Sequence, residues 1–284
     1  MRPVYYEQSK IGHYPKYVKS GGGHLSFTNP DGWWPSRESK LPVEAEQEFI
    51  KNEWLASRIL NKIAPRKIKQ EFVRVGSSGD GGYIMVKDLI QEGNIAYSFG
   101  VGDNCSWEKD MVSYGYEVHA WDGTIDPITE PGIEFHNQNV YKMPRILSER
   151  KHWDVDGLIV GLDIDGWEYE FIKNSNQISL SGIHQITIEF HFLLNMVHHY
   201  DNLKNLNLCF NKLLQLFVPV HLHGNNCTGW FEVLGKRVPD TLEVTFVRKD
   251  LIDIIEGDVI LPHELDEPCS VHTDDEIIQG VYGW

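Results

Sequence analysis

The chain has no run of eighteen apolar residues, so no membrane-spanning helix is expected. It lacks basic excess: 26 Lys and Arg stand against 41 Asp and Glu, a formal net charge of −15. Nucleic acid and anionic membranes both reward the opposite sign, so neither is an expected partner. Pro65 to Lys69 is the best candidate for a local basic patch, and it is short. Cysteine is sparse: Cys105, Cys209, Cys227 and Cys269 are far apart and form no CxxC pair. That spacing argues against a cysteine zinc site and for a reducing, cytoplasmic setting. The first residues carry no apolar signal core. Repeats and low-complexity tracts are missing as well.

What the 284 residues do contain is a regular alternation of apolar strands and amphipathic helices. Val43 to Ala64 reads as a helix with Ile50, Trp54, Ile59 and Ile63 near one face, stopped by Pro65. Phe72 to Gly76 and Gly79 to Val86 read as two strands around a glycine-rich turn. Strands are expected at residues 95–99, 117–121, 133–135, 157–162, 184–191, 217–223 and 242–247, with helices at 106–115 and 203–216. This predicts an α/β fold: a Rossmann-like, doubly wound, seven-stranded sheet whose last strand is antiparallel, joined to the sixth as a hairpin across an elaborated loop at 227–239. Residues 1–70 form an N-terminal extension and helix packed on the core, and residues 71–284 the main domain. Residues 1–40, rich in Tyr, Gly, Pro and Trp, suit irregular structure, and the acidic C-terminal stretch suits surface wrapping.

The most informative stretch runs from Ile95 to Asp122. A buried strand enters Gly100-Val101-Gly102, a helix follows, and a second strand ends in Asp122-Gly123. Glycines at such a turn let the backbone approach a ligand, and an acid at the next strand end accepts hydrogen bonds from ribose hydroxyls. A dinucleotide fingerprint would need a third glycine where Cys105 stands. A nucleoside cofactor without pyrophosphate has no such need. Polar residues gather at the other strand ends too: Asn139, Asp163 and Asp165, Glu189 and His191, and His221 to Asn226. In a parallel sheet those ends share one edge, where ligands bind.

The glycine turn and its acid resemble those of class I S-adenosylmethionine-dependent methyltransferases, although Ser98 and Asn104 stand where that family usually has an acid and a glycine. Residues 72–192 are similar to the FkbM-like subfamily: Asp163-x-Asp165-Gly166-x-Glu168 resembles its Asp-x-Glu-Gly-x-Glu, and Glu189-x-His191 its acid-and-histidine strand end. Gly79-Asp80-Gly81-Gly82-Tyr83 resembles a motif of sugar-modifying relatives. The resemblance implies O-methylation of a sugar, glycan or small-molecule hydroxyl. The expected cofactor contacts are Tyr83, Gly100, Val101, Gly102, Asp122, Gly123, Asn139 and Asp163.

An alcohol needs a positioned base or metal to lose its proton near neutral pH. His191, His221 and His223 are the candidate bases, with Asp163 and Asp165 beside them. His221 and His223 should share one strand face. A divalent ion on Asp163, Glu189, His191 and His223 is the mechanistic variant. Glu189, Asn225, Asn226 and Trp230 are candidate acceptor contacts, with Trp33 and Trp34 as alternative sugar platforms. Two other readings stand beside this one: an NAD-dependent sugar oxidoreductase and a catalytically silent cofactor-binding relative.

Overall fold

The computed structural model describes residues 52–91, 94–140, 146–147, 152, 155–275 and 278, with the backbone alone of 16–19, 25–28, 43–51 and 198. Trp33 and Trp34 lie outside the described residues. Two compact units are present, residues 1–51 and 52–284. In the first, β1 (Lys16–Lys19) and β2 (Leu25–Thr28) pair antiparallel. Helix α1 (Val43–Leu60) runs across the division between the units.

The second unit is built on one seven-stranded sheet in the order β10-β13-β9-β8-β5-β6-β7. Its strands are β5 (Ile95–Phe99), β6 (Glu117–Trp121), β7 (Ile133–His136), β8 (Leu158–Leu162), β9 (Ile183–Phe190), β10 (Phe217–Gly224) and β13 (Leu242–Arg248). β5 to β9 pair parallel, whereas β13 runs antiparallel to both β9 and β10. The last strand therefore inserts between the fifth and sixth rather than adding to the edge. The loop before it carries its own hairpin, β11 (Trp230–Val233) with β12 (Lys236–Pro239).

Both sheet faces are covered, which is why β8 is apolar throughout. On one face Ala56, Ile59 and Leu60 of α1 share a core with Leu203, Leu206, Cys209, Phe210 and Leu213 of the long C-terminal helix, Tyr200–Leu216. Those five recur at helical spacing and form its buried stripe. Trp54 does not belong to the buried face of α1; it is 60% exposed, and Ala56 and Leu60 take the inward positions instead. On the other face Trp107 and Met111 of α2 (Ser106–Ser113) pack with Val75, Tyr83 and Met85.

The hairpin of β3 (Phe72–Gly76) and β4 (Gly82–Val86) is not part of the main sheet. β4 is buried from end to end, yet only one of its edges pairs with a strand. Its remaining backbone groups are met by side chains from the sheet beneath. Gln185 of β9 accepts from Val86 N at 3.0 Å and donates to Val86 O at 3.1 Å, and Thr245 of β13 donates to Ile84 O. Two polar residues inside apolar strands are thereby explained: they satisfy a buried strand edge. The same anchoring carries Asp80, Gly81 and Tyr83 over the ends of β8 and β9.

Candidate active site

Gly100 follows β5 with φ +82°, and Gly102 with φ +58°, a region open to glycine at little cost. A Cβ at Gly100 would lie 1.6 Å from Asp163 O, so backbone packing alone requires glycine there. At Gly102 nothing lies within 4 Å, and the turn opens onto free space. Beside it is a cavity lined by Gly81, Tyr83, Ser98, Val101, Glu108 and Asp163, among others. Of the expected cofactor contacts, Tyr83, Gly100, Val101 and Asp163 line this cavity, and Gly102 adjoins it.

Asp122 is turned towards its own protein. Its Oδ2 accepts from the amides of Val101 and Gly102, each at 3.0 Å, and its Oδ1 from the amide and hydroxyl of Thr124. Burial works against the charge, but these four bonds outweigh it and hold the carboxyl below its ordinary pKa. In this conformation Asp122 pins the glycine turn. Gly123 packs against Asn139, and neither lines the cavity.

Asp163 is a wall of the cavity and also the start of a second feature. His191 Nε2 faces Glu189 at 3.5 Å, Asp163 at 3.8 Å and Asp165 at 3.9 Å, while its Nδ1 meets Glu168 Oε1 at 3.1 Å. Glu168, fully buried in the first turn of α3 (Glu168–Asn174), also accepts from the amides of Ile164 and Gly166. One carboxylate thus fixes the loop and orients the imidazole. Asp165, 3.9 Å from His191 Nε2, and Phe192, the residue after His191, have φ of +51° and +57° without being glycine, backbone strain of the kind found at functional sites.

Acids crowd here. Ligand atoms of Asp163, Glu189 and His191 lie within 4.8 Å of one another, as do those of Asp80, Glu189 and Glu243. The Tyr83 hydroxyl sits 3.3 Å from both Asp163 Oδ2 and Glu189 Oε2, and Asn225 Nδ2 donates to Glu189 Oε1 at 2.7 Å. Burial, then neighbouring carboxylates, push Asp163 up to about 7 and Glu189 well above its ordinary range. Burial opposes charge on His191, but Glu168, Glu189 and Asp163 prevail and raise its pKa well above the usual value.

The other two histidines are placed differently. Among the described residues, His223 does not join the Asp163 group: its Nδ1 lies 3.0 Å from Glu243 and its Nε2 3.1 Å from Asp275. With both nitrogens committed, it is a buried cation in a clamp. His221 Nε2 pairs with buried Asp266 at 2.9 Å. Both partners belong to the C-terminal segment, which is more than surface wrapping. Asn226 also holds it, donating to Ser270 O and Thr273 O and accepting from Ser270 N. Trp230 is 47% exposed, with the Arg237 guanidinium 3.9 Å over its ring.

Sequence reasoning passed over Asp80, Glu108 and Glu243 as single residues. Glu243 carried a signal, an acid within the otherwise buried Leu-Glu-Val-Thr-Phe-Val strand. Glu108 carried a fainter one, an acid ten residues after the serine that stands in for the expected strand-end acid.

No family model and no curated protein matches this sequence. Twelve chains of solved structures do. One is a putative hemolysin from Streptococcus thermophilus, 10% identical over 60% of this chain and 72% of that one, TM-score 0.34. Another is a variant of the 16S rRNA (adenine(1408)-N(1))-methyltransferase from Catenulisporales acidiphilia, 9% identical over 65% and 100%, TM-score 0.31. At scores of this size neither likeness bears on what the chain does.

Proposed function

We propose that the chain is an S-adenosylmethionine-dependent O-methyltransferase acting on a hydroxyl of a sugar, a glycan or a related small molecule. The observation that carries this is the meeting of two features at one strand edge: Asp163 walls both the glycine-turn cavity and the carboxylate–histidine cluster around His191. The sheet also ends in the antiparallel pair that the family resemblance implies. The residues fit a nucleoside that carries a cationic amino-acid arm. Gly102 leaves open space, and Glu108, a buried acid whose Oε2 has no hydrogen-bond partner, is among the residues that line the cavity. They do not suit a pyrophosphate, because Glu108 and Asp163 would put carboxyl groups against it. The NAD-dependent alternative is disfavoured on that ground.

The cofactor supplies an electrophilic methyl group. The protein must align the acceptor oxygen and take its proton. His191 is the side chain placed for that, with its ring orientation set by Glu168. Because its pKa is raised, it acts as a unit with Asp163, which exchanges protons near pH 7. Glu189, steadied by Asn225, faces the same space and is assigned to the acceptor. His221, His223 and Asn226 are assigned to holding the C-terminal segment. A divalent cation is a second reading, favoured by the convergence of Asp163, Glu189 and His191 within 4.8 Å. Those residues would supply the mixed oxygen and nitrogen set, with Glu243 and Asp80 nearby, and the ion would lower the pKa of the bound hydroxyl.

Calorimetric titration with S-adenosylmethionine and S-adenosylhomocysteine tests the cofactor assignment; absence of binding by both refutes it. Methyl transfer across a panel of sugar hydroxyls, with and without chelator, then tests acceptor and metal. His191→Ala should lower turnover by about a hundredfold or more while S-adenosylhomocysteine affinity stays within about threefold.

A further inference from the structure

The family resemblance implies an acid near the end of β5, where Ser98 stands. The structure fills the gap from another element. Glu108 enters from the first turn of α2 and is only 2% exposed. The Ser98 hydroxyl donates to its Oε1, so the serine serves as a bracket for the carboxylate. Its Oε2 has no hydrogen-bond partner and is cut off from bulk solvent. A buried carboxylate oxygen left without a partner is costly and calls for an explanation, and a ligand group is one. Glu108 lines the same cavity as Ser98, Gly100, Val101 and Asp163. Trp107 and Leu162 supply the apolar part of that wall, so a cation entering beside Glu108 would lose water and gain a charged partner, with Asp163 the other carboxyl of the lining.

We propose that Glu108 is the ammonium receptor of the cofactor cavity, a carboxylate delivered by helix α2 to take the amino group of the cofactor's amino-acid arm in place of an acid at the end of β5. This rests on the cofactor reading above and deepens it. Buried carboxylate and ligand ammonium neutralise one another, which gives the orphaned oxygen its missing partner. The burial that pushes the free carboxyl up to about 7 is then offset in the complex.

The test is a double cycle by calorimetry on the full chain. The ligands are S-adenosylhomocysteine and its des-amino analogue, which differ only in the amine. The proteins are wild type and Glu108→Gln, which keeps the size of the side chain and an acceptor for Ser98. Wild type is expected to prefer the amine-bearing ligand by about tenfold or more, the size of one charge-assisted hydrogen bond in a buried site. Glu108→Gln should shrink that preference to within about threefold, with the des-amino analogue bound as by wild type. Equal binding of the two ligands by wild type overturns the proposal, and so does a preference that survives in Glu108→Gln. Should Glu108→Gln fail to unfold cooperatively, Glu108→Asp replaces it. The shorter carboxylate is expected to keep only part of the preference, and an undiminished one overturns the assignment. If wild type binds neither ligand nor S-adenosylmethionine, the cofactor reading itself has failed. If wild type binds and the variant behaves identically, only the role of Glu108 falls.

Discussion

The C-terminal segment is tied to the sheet through a buried cation, and Asp275→Asn tests how much that tie contributes. Burial disfavours a charged His223, but Asp275 first and Glu243 second more than compensate, and its pKa rises to about 10. Against an unfolded value near 6.5, a shift of about 3.5 units corresponds to roughly 5 kcal/mol as an upper bound. Because the folded-state pKa is the higher one, this stabilisation is fully present below about pH 6.5. It declines as pH rises from there and is lost once pH passes about 10. Asp275 is one of two carboxylates on the ring and is 30% exposed, so about 2 kcal/mol is its share after solvent screening. Urea unfolding of wild type and Asp275→Asn at pH 6 and pH 9.5 separates the effects. The variant should be about 2 kcal/mol less stable at pH 6, and the gap should narrow to under about 1 kcal/mol at pH 9.5. Other groups that titrate in this range cancel in the difference. A gap that is constant with pH, or below about 0.5 kcal/mol at pH 6, would refute the clamp.

Three further outcomes follow from buried polar groups and backbone geometry. Gln185→Ala strips both partners from the Val86 backbone and should cost about 2–4 kcal/mol by urea unfolding; a cost under about 1 kcal/mol would mean that water replaces the amide. Gly100→Ala drives a Cβ into the Asp163 carbonyl and should cost about 3 kcal/mol or more, whereas Gly102→Ala meets open space and should cost about 1 kcal/mol for its φ; equal costs would contradict the packing. For Glu108, whose folded pKa of about 7 exceeds the ordinary 4.5, wild-type stability should fall by up to about 3 kcal/mol as pH rises from 4.5 through 7. Glu108→Gln removes that slope, and a slope unchanged in the variant counts against a buried charge there.

The central strands were legible in the sequence because burial on both faces leaves little room for polar residues. β5 and β6 fall on their expected limits, and β8, β9, β10 and β13 within a residue of theirs. The insertion of β13 between β9 and β10 was not legible in its order, since strand neighbours are chosen by packing and not by sequence distance. The site was legible where a motif gathers its residues, as in Asp163 to Glu168 with His191. It was obscure where chemistry comes from elements with an ordinary local reason for the same residue. A glutamate in the first turn of α2 suits the helix dipole wherever the helix lies, so the signal of Glu108 was faint. Asp266 and Asp275 looked like solubilising charge because their histidine partners lie about fifty residues away. Gln185 and Thr245 were the missed opportunity. A buried amide or hydroxyl in a central strand demands a partner, and here the partner is the free edge of the hairpin that forms the roof of the site.

The crowding of acids at the strand ends constrains how any reaction can run there. Two groups meet at Glu189, one with Asp163 and His191 and the other with Asp80 and Glu243, and the Tyr83 hydroxyl lies against Asp163 and Glu189. Carboxylates at such spacing repel one another, most strongly at Glu189 and Glu243, which are buried, and less at Asp80, which is exposed. Burial, then neighbouring carboxylates, push Asp163 up to about 7 and Glu189 well above its ordinary range, while Glu168 first, and then Glu189 and Asp163, outweigh burial and raise the pKa of His191. A site in this state gives up a proton more readily than it takes one. Taking a hydroxyl proton requires that the cluster first release one of its own, and two events do so. One is a rise in pH through about 7, which frees Asp163. The other would be the arrival of a cation, either a metal ion on Asp163, Glu189 and His191 or the ammonium and sulfonium charges of the proposed cofactor in the adjoining cavity. On the proposed reading, cofactor binding and base activation would be linked through one electrostatic field, since Asp163 belongs to both the cavity and the cluster. The acidity that makes the ligand-free site a poor base is what makes it responsive to the cation it is proposed to bind.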